Sequence, residues 1–430
     1  QMLNGSLSFR VEPASQNVLL ARSPTLVFSE YYGDPNFWNR TYEVQVRRDT
    51  APVSAATINS LPAPGSFVPQ TWASPYLASP AAPPETRSFR VYVGNGYVEV
   101  QGRLVYEGEK YLYYEESASG TTHPHCFTLE EYQSIDEGVT PAYDKLVSLM
   151  GEPVDFDGNR KVIVFLSTTV AQDRGMWTAY YDAEDISPQK TYRSEIVYFP
   201  CGNWSDRDSR VRTWFPRNII HETIHLLQQT HAYRLEDPRG SFYNRYVGYV
   251  SEGQAELFRL KQIGLNERMG VNERWSELPS CLSSAILSLH SCFYRVAGLW
   301  HYWLHERHGE GFEQQAIASV YASRSDPALA PYQRITGIPE AVSLALAHIS
   351  LALDGTAVGQ TLGLHFPRDD VRASLGGLSI PTLSLNVSPL VVNLKHLESV
   401  LIKVENYGPN DTIHVLVNNT RGVYVVVVAW

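Results

Sequence analysis

The stretch His221-Glu222-Thr223-Ile224-His225 joins the residue types that metal-assisted hydrolysis requires. Two histidines at i and i+4 of a helix project from one face, so their ring nitrogens can share one divalent metal. Glu222 stands between them and suits a general base, taking the proton from a water that attacks a metal-polarised carbonyl. The bland alternative is a surface helix with two stray histidines, and the pentapeptide by itself does not choose. What decides is a third ligand, because such a site takes three protein ligands and leaves one position open.

Two residues compete for that place. In HETIHLLQQTH the last histidine, His231, has the spacing found in metzincin peptidases. That family turns the chain sharply at a glycine seven residues after the first histidine. Here the position is Gln228, and residues 226–230 contain neither Gly nor Pro. On a continuing helix His231 falls about 280° round from His221. Met269 is the sole downstream methionine for the Met-turn that such enzymes carry. The second candidate is Glu252, in Val250-Ser251-Glu252-Gly253-Gln254-Ala255-Glu256. This resembles the gluzincin pattern, in which a following helix supplies a glutamate ligand and a second acid one turn on. Glu252 and Glu256 share a helical face, and Glu256 would accept a hydrogen bond from a ligand histidine and fix its ring. The expected site is Zn2+ on His221, His225 and Glu252, with His231 as the alternative third ligand. A solvated acidic helix face is the plain account of the two glutamates.

Taken together, these segments resemble the hyicolysin-like metallopeptidases, in which a similar helix is followed by a second one of the W-x-N-E-G-[LS]-x-E kind. Tyr249 stands here where Trp is usual and Ser251 where Asn is usual. The stretch from Tyr294 to Gly309 looks like that family's Tyr-Gly-Ala-containing helix, with Arg295-Val296 after the tyrosine and His308-Gly309 at its end. The resemblance covers about residues 88–320 and implies a zinc-dependent, exported endopeptidase acting on protein or peptide substrates. A tetrahedral oxyanion would need a hydrogen-bond donor besides the metal. Tyr294 is the preferred one, ahead of Tyr246, Tyr249 and His290, any of which could equally be a packed aromatic.

The elements around these residues read as follows. Short alternating runs such as Thr41–Arg47 are strand-like, and the Pro/Ala/Ser-rich residues 51–86 read as a linker or long surface loop. Strand patterns resume at Phe89–Val93, Tyr97–Val100, Arg103–Tyr106 and Tyr111–Tyr114. Lys161–Leu166 is a near-continuous apolar run, hence a central strand, and Glu195–Phe199 is a strand that could be a sheet edge for an extended substrate. Pro216 suits the first turn of a helix running to Glu236. Ser251 with Gln254 forms a capping-box pattern for the next helix, up to Ile263. Helices are also expected over Ala297–His308 and Pro339–Leu353, and strands over 383–387, 399–404, 412–417 and 423–428. The expected class is α+β: a β-rich N-terminal region with linker (1–87), a zincin catalytic domain (88–353) and a C-terminal β-sandwich (354–430).

Bulk properties limit the alternatives. A chain of 430 residues exceeds one ordinary domain, and 43% hydrophobic against 19% charged residues excludes a disordered one. A formal net charge of −10 argues against general binding to nucleic acid or anionic membranes. The most apolar stretch, Cys281 to Leu304, carries His290, Arg295 and His301 and reads as buried helices rather than a transmembrane span. The opening at Gln1 lacks a charged or apolar leader, which fits a signal peptide already removed from a secreted or cell-surface protein. Of the four cysteines, Cys281 and Cys292 are the expected disulfide. His301 and His305 repeat the i, i+4 spacing, but Tyr302 replaces the glutamate and Trp303 suggests packing. A binding or adhesion protein with a degenerate peptidase domain is the reading from another class.

Overall fold

The structure, a computed structural model of the chain, describes residues 6–10, 25–30, 42–49, 67, 81–94, 96–117, 126–175, 178–186, 193–234, 248–261, 291–322, 331–338, 340–353, 382–385, 390–394, 399–404, 412–417 and 423–428. Helices and a mixed sheet make it α+β, as expected. Strands β1 (Ser6–Arg10), β2 (Thr25–Glu30) and β3 (Tyr42–Asp49) come first. Next come β4 (Thr86–Val93), β5 (Gly96–Glu107), β6 (Tyr111–Glu116), β7 (Val162–Ser167), β8 (Tyr180–Tyr181) and β9 (Ile196–Pro200). The last are β10 (Thr382–Leu385), β11 (Leu390–Leu394), β12 (Ser399–Val404), β13 (Thr412–Val417) and β14 (Val423–Val428). Two compact units are distinguished: Val68–Val247 with Gln254–Met269, and Gln1–Phe67 with Gly248–Gly253 and Gly270–Trp430.

The first unit is built on a six-stranded sheet of order β4-β5-β6-β7-β9-β8. Pairing is antiparallel from β4 to β6, parallel from β6 through β7 to β9, and antiparallel again at β8. All six residues of β7 are buried, as an apolar run in a central parallel strand requires. Phe89 of β4 stacks on Phe165 of β7 with ring centroids 3.9 Å apart. The expected strands at 97–100 and 103–106 are one continuous strand, β5, which holds its ladder through an irregularity between Leu104 and Tyr106. β9 is not the edge strand expected for substrate pairing: β8 lies outside it, at Val197 and Tyr198.

Helix α1 (Leu129–Met150) was not expected from the pattern, although its N-terminus carries a full capping box. Thr128 Oγ1 accepts from Glu131 N at 3.2 Å and Glu131 Oε2 accepts from Thr128 N at 2.7 Å. The short α2 (Thr168–Arg174) follows β7 directly. After β9 comes one turn, α3 (Arg207–Ser209), a π-helical turn over Arg210–Trp214, and then α4 (Phe215–Arg234). Glu131 reaches beyond its cap to hold Arg207 on both oxygens, Nε at 2.7 Å and Nη2 at 2.5 Å. That pairing, foremost, keeps the Glu131 carboxyl below its ordinary range. Arg210 is buried, bonded to Asp206 at 2.9 Å and set 5.4 Å from each of the Trp204 and Trp214 rings. Phe127, Trp204 and Phe215 close this aromatic cluster under the start of α4.

In the second unit, strands from the two ends of the chain pair with one another. One sheet has the order β1-β13-β3-β11 and another β10-β12-β2-β14. Helices α5 (Gly248–Lys261), which runs through both units, α6 (Ser291–His308), α7 (Phe312–Ala322), α8 (Pro331–Thr336) and α9 (Glu340–Leu353) complete the described residues. α5 begins three residues before Ser251, so that residue lies inside the helix and the expected capping box is not its start. α9 packs on β2, β12 and β14. Among the described residues no helix is long and apolar enough to cross a membrane.

The disulfide that the structure shows joins Cys126 to Cys201, a pair the sequence reading did not choose. The expected Cys281–Cys292 pairing lies outside what is described, since Cys281 and the side chain of Cys292 fall there. Cys126 precedes α1 and Cys201 follows β9, so the bridge closes a loop across 75 positions beside the aromatic cluster. Chain-entropy arguments put its worth at about 4 kcal/mol. Replacing both by serine is expected to lower the unfolding free energy by about that amount, measured by urea unfolding; an unchanged midpoint would contradict it. Burial pushes the imidazole of His348, on α9, down to about 4. Its unfolded value is higher, near 6.5, so the unfolded chain binds the extra proton between these values. Stability supplied by neutral, buried His348 is complete above about pH 6.5 and falls as pH drops toward 4. Acid titration of the unfolding midpoint should show a shallower fall over that window in His348→Leu than in the parent.

Candidate metal centre

From Ile219 to His231, α4 is buried on every side. Ile219, Ile220, Thr223, Ile224, Leu226 and Leu227 give it apolar contacts, while His221, Glu222, His225, Gln228 and His231 are polar side chains equally removed from solvent. Such groups need partners, since a buried polar atom left without one costs about 1–3 kcal/mol. Thr223 Oγ1 donates to Ile219 O at 2.7 Å and lies 3.3 Å from the Tyr111 hydroxyl of β6, which then acts as its donor. This contact docks the helix on the sheet one residue from Glu222.

His221 Nε2 and His225 Nε2 are 3.2 Å apart. The ring tautomers follow from what faces the other nitrogens. His225 Nδ1 is 3.0 Å from Gln228 Oε1. Gln228 is oriented in turn by its Nε2, which donates to Gln254 Oε1 on α5 at 2.9 Å. The oxygen can only accept, so the proton is on Nδ1 and Nε2 of His225 is a bare lone pair. His221 Nδ1 lies 3.4 Å from Glu256 Oε1, a carboxylate that likewise only accepts when ionised. The His225 lone pair thus faces His221 Nε2, which donates to it in the protein alone, and both Nε2 atoms can turn lone pairs to a cation that displaces that proton. Ligands about 2.05 Å from a tetrahedral metal lie roughly 3.3 Å from one another, and the observed separation is close to that.

Glu252 completes the group. One ligand atom from each of His221, His225 and Glu252 lies within 4.8 Å of the other two, the histidines buried and the glutamate partly so. The donor set thus fits a divalent metal ion, and the three residues are the ones expected from sequence. His231 is not part of the group: α4 continues unbroken to Arg234, and His231 Nε2 meets the carbonyl oxygen of Met150 instead.

The residue after the glutamate explains itself sterically. A Cβ at Gly253 would overlap the ring of His301 on α6, so glycine alone lets α5 lie this close. His301 and His305 do not form a second i, i+4 metal pair. His301 Nε2 meets the Tyr332 hydroxyl, and His305 Nδ1 pairs with Glu313 Oε1 at 2.7 Å. Tyr294, the expected oxyanion donor, is half-buried on α6, and Tyr249 is on α5; Tyr246 and His290 lie outside the described residues. Sequence reasoning missed Gln228 and Gln254 as supports for a ligand ring. Their signal was available: Gln228 is three residues on from His225 on the same helix, within side-chain reach.

Compared with known protein families and with curated proteins, the chain matches no family model and no curated relative. The case for the centre therefore rests on its geometry.

Elemental analysis should find about one divalent metal per chain in the parent and in His231→Ala, and a large loss in Glu252→Ala. Gln228→Ala, which keeps all three ligands, should weaken metal affinity by about tenfold to a hundredfold. Metal retained by Glu252→Ala but lost by His231→Ala would reverse the ligand assignment.

Proposed function

We propose that the chain is a zinc-dependent endopeptidase of the gluzincin type, similar to the hyicolysin-like family, with a zincin catalytic domain and a C-terminal β-sandwich. The observation that carries this reading is the convergence of His221, His225 and Glu252 with Glu222 one residue from the first ligand. Two imidazoles and one carboxylate are the ligand set of hydrolytic zinc sites that keep an open position. Zinc bound there would polarise a peptide carbonyl and make water acidic enough to attack at neutral pH.

The remaining chemistry belongs to the chain's own side chains. Glu222 is buried, on a helix held rigidly by the Tyr111–Thr223 contact and by the aromatic cluster at its start. As general base it takes the proton of the attacking water and passes it to the departing amine nitrogen. Gln228 keeps the His225 ring in the tautomer that binds metal, and Glu256 faces Nδ1 of the His221 ring. Tyr294 is the proposed hydrogen-bond donor to the oxyanion. The metzincin alternative has the course of α4 and the Met150 contact of His231 against it. A disulfide at Cys126–Cys201 suits a secreted or cell-surface protein, and the substrate is a protein or peptide.

Glu222→Gln should keep its zinc and lose at least about two orders of magnitude in peptidase rate, measured on casein with and without chelator. Equal rates for the parent and this variant, both fully metallated, would reject the mechanism.

A further inference from the structure

A second group of ligand-type side chains lies in the first unit, that of the six-stranded sheet. Asp155, Asp157 and Glu195 each bring a carboxylate oxygen within 4.8 Å of the other two. Asp155 and Asp157 sit on the segment between α1 and β7, where Gly158 (φ +76°) and Arg160 (φ +60°) turn the chain sharply. Glu195 immediately precedes β9, and its backbone oxygen accepts from Ile163 N of β7 at 2.7 Å.

Backbone N–H groups and one guanidinium meet the three carboxyl groups. Asp155 Oδ1 accepts from Arg160 N at 3.2 Å and Asp157 Oδ1 from Asn159 N at 3.3 Å. Arg87 pairs with Asp157 at 3.2 Å and spends its other nitrogen on Ser194 Oγ. Glu195 is 2% exposed, its Oε1 accepts from Phe156 N at 2.9 Å, and its Oε2 is buried with no hydrogen-bond partner. Among the described residues neither Asp155 nor Glu195 has a cationic partner, so one guanidinium faces three carboxylates. Burial foremost, then the charge of Asp157, hold the Glu195 carboxyl well above its ordinary range. Among the described residues Glu195 Oε2 is thus buried without a hydrogen bond, in a carboxyl group that has an oxygen within 4.8 Å of both aspartates, and a cation would complete it.

We propose that Asp155, Asp157 and Glu195 form a calcium site, separate from the histidine centre. All three donors are oxygen, which selects a hard cation over zinc or copper. Calcium is preferred to magnesium because a cage of three protein carboxylates suits it, whereas magnesium keeps most of its water. The ion would clamp the 155–160 turn to the strand junction at Glu195. That turn continues from a segment that backs α4: Val154 N donates to Thr230 Oγ1 at 3.5 Å, and Met150 O meets His231. Calcium thereby braces the helix that carries His221 and His225, without touching either.

Equilibrium dialysis of the full chain with radioactive calcium, zinc present throughout, tests this. One calcium per chain is expected, with affinity in the range of about 10⁻⁷ to 10⁻⁴ M. Glu195→Gln, which keeps shape and hydrogen-bonding capacity, and Asp155→Asn, on the half-buried turn, should each weaken binding at least about tenfold. His221→Ala with His225→Ala should bind calcium as the parent does. Added calcium should raise the Tm of the parent and leave that of Glu195→Gln unmoved. No saturable calcium binding, or equal binding by the parent and both carboxylate variants, overturns the proposal. So does magnesium competing at equal concentration.

Discussion

Two imidazole Nε2 atoms brought face to face 3.2 Å apart inside a protein are the contact around which the centre is organised. Gln228, itself fixed by Gln254, holds one ring, and Glu256 faces the other. All three supports lie on the two helices that carry the ligands, so each helix fixes the other's chemistry. A buried polar arrangement of this sort gains stability when a cation joins it. The partner that fits two nitrogens and a carboxylate is a divalent metal, and the proposed peptidase activity follows from where Glu222 then stands.

Holding the rings in place requires that α4 itself cannot move, and its start is secured by unlike interactions at neighbouring points. Phe127, Trp204 and Phe215 pack edge and face under its first turn. The Cys126–Cys201 bridge ties the segments before α1 and after β9 beside them. Glu131 joins the cap of α1 to Arg207 at the head of the same helical run. These are apolar, covalent and ionic contacts respectively, so no single change of solvent weakens all three. Buried Arg210, at the start of the π-helical turn over Arg210–Trp214, reaches back one turn to Asp206.

Much of the centre was legible in the sequence because its signal is local. The spacing of His221 and His225 sets one face of one helix, and the lack of Gly or Pro between 226 and 230 kept that helix straight past His231, as observed. The second ligand helix was also legible, though Ser251 misled about its start: a capping pattern inside an otherwise helical run is overridden when packing extends the helix backward. What sequence hid was non-local. The disulfide depends on bringing residues 126 and 201 together, and nothing in their spacing announces it. The outer position of β8 depends on a two-residue strand too short to show any alternation. α1 is the instructive omission, since Thr128 and Glu131 spell its cap openly while Pro141 interrupts its helical pattern.

Gly253 has a consequence for how this protein can vary. The His301 ring occupies the volume that any side chain at that position would need, while His301 also meets the Tyr332 hydroxyl. The two positions are coupled: enlarging 253 demands that the ring at 301 shift or shrink, and shrinking 301 removes its contact with the Tyr332 hydroxyl and opens a void beside the ligand helix. A larger residue after the glutamate ligand is therefore accommodated only together with a change at 301, for reasons of volume rather than chemistry.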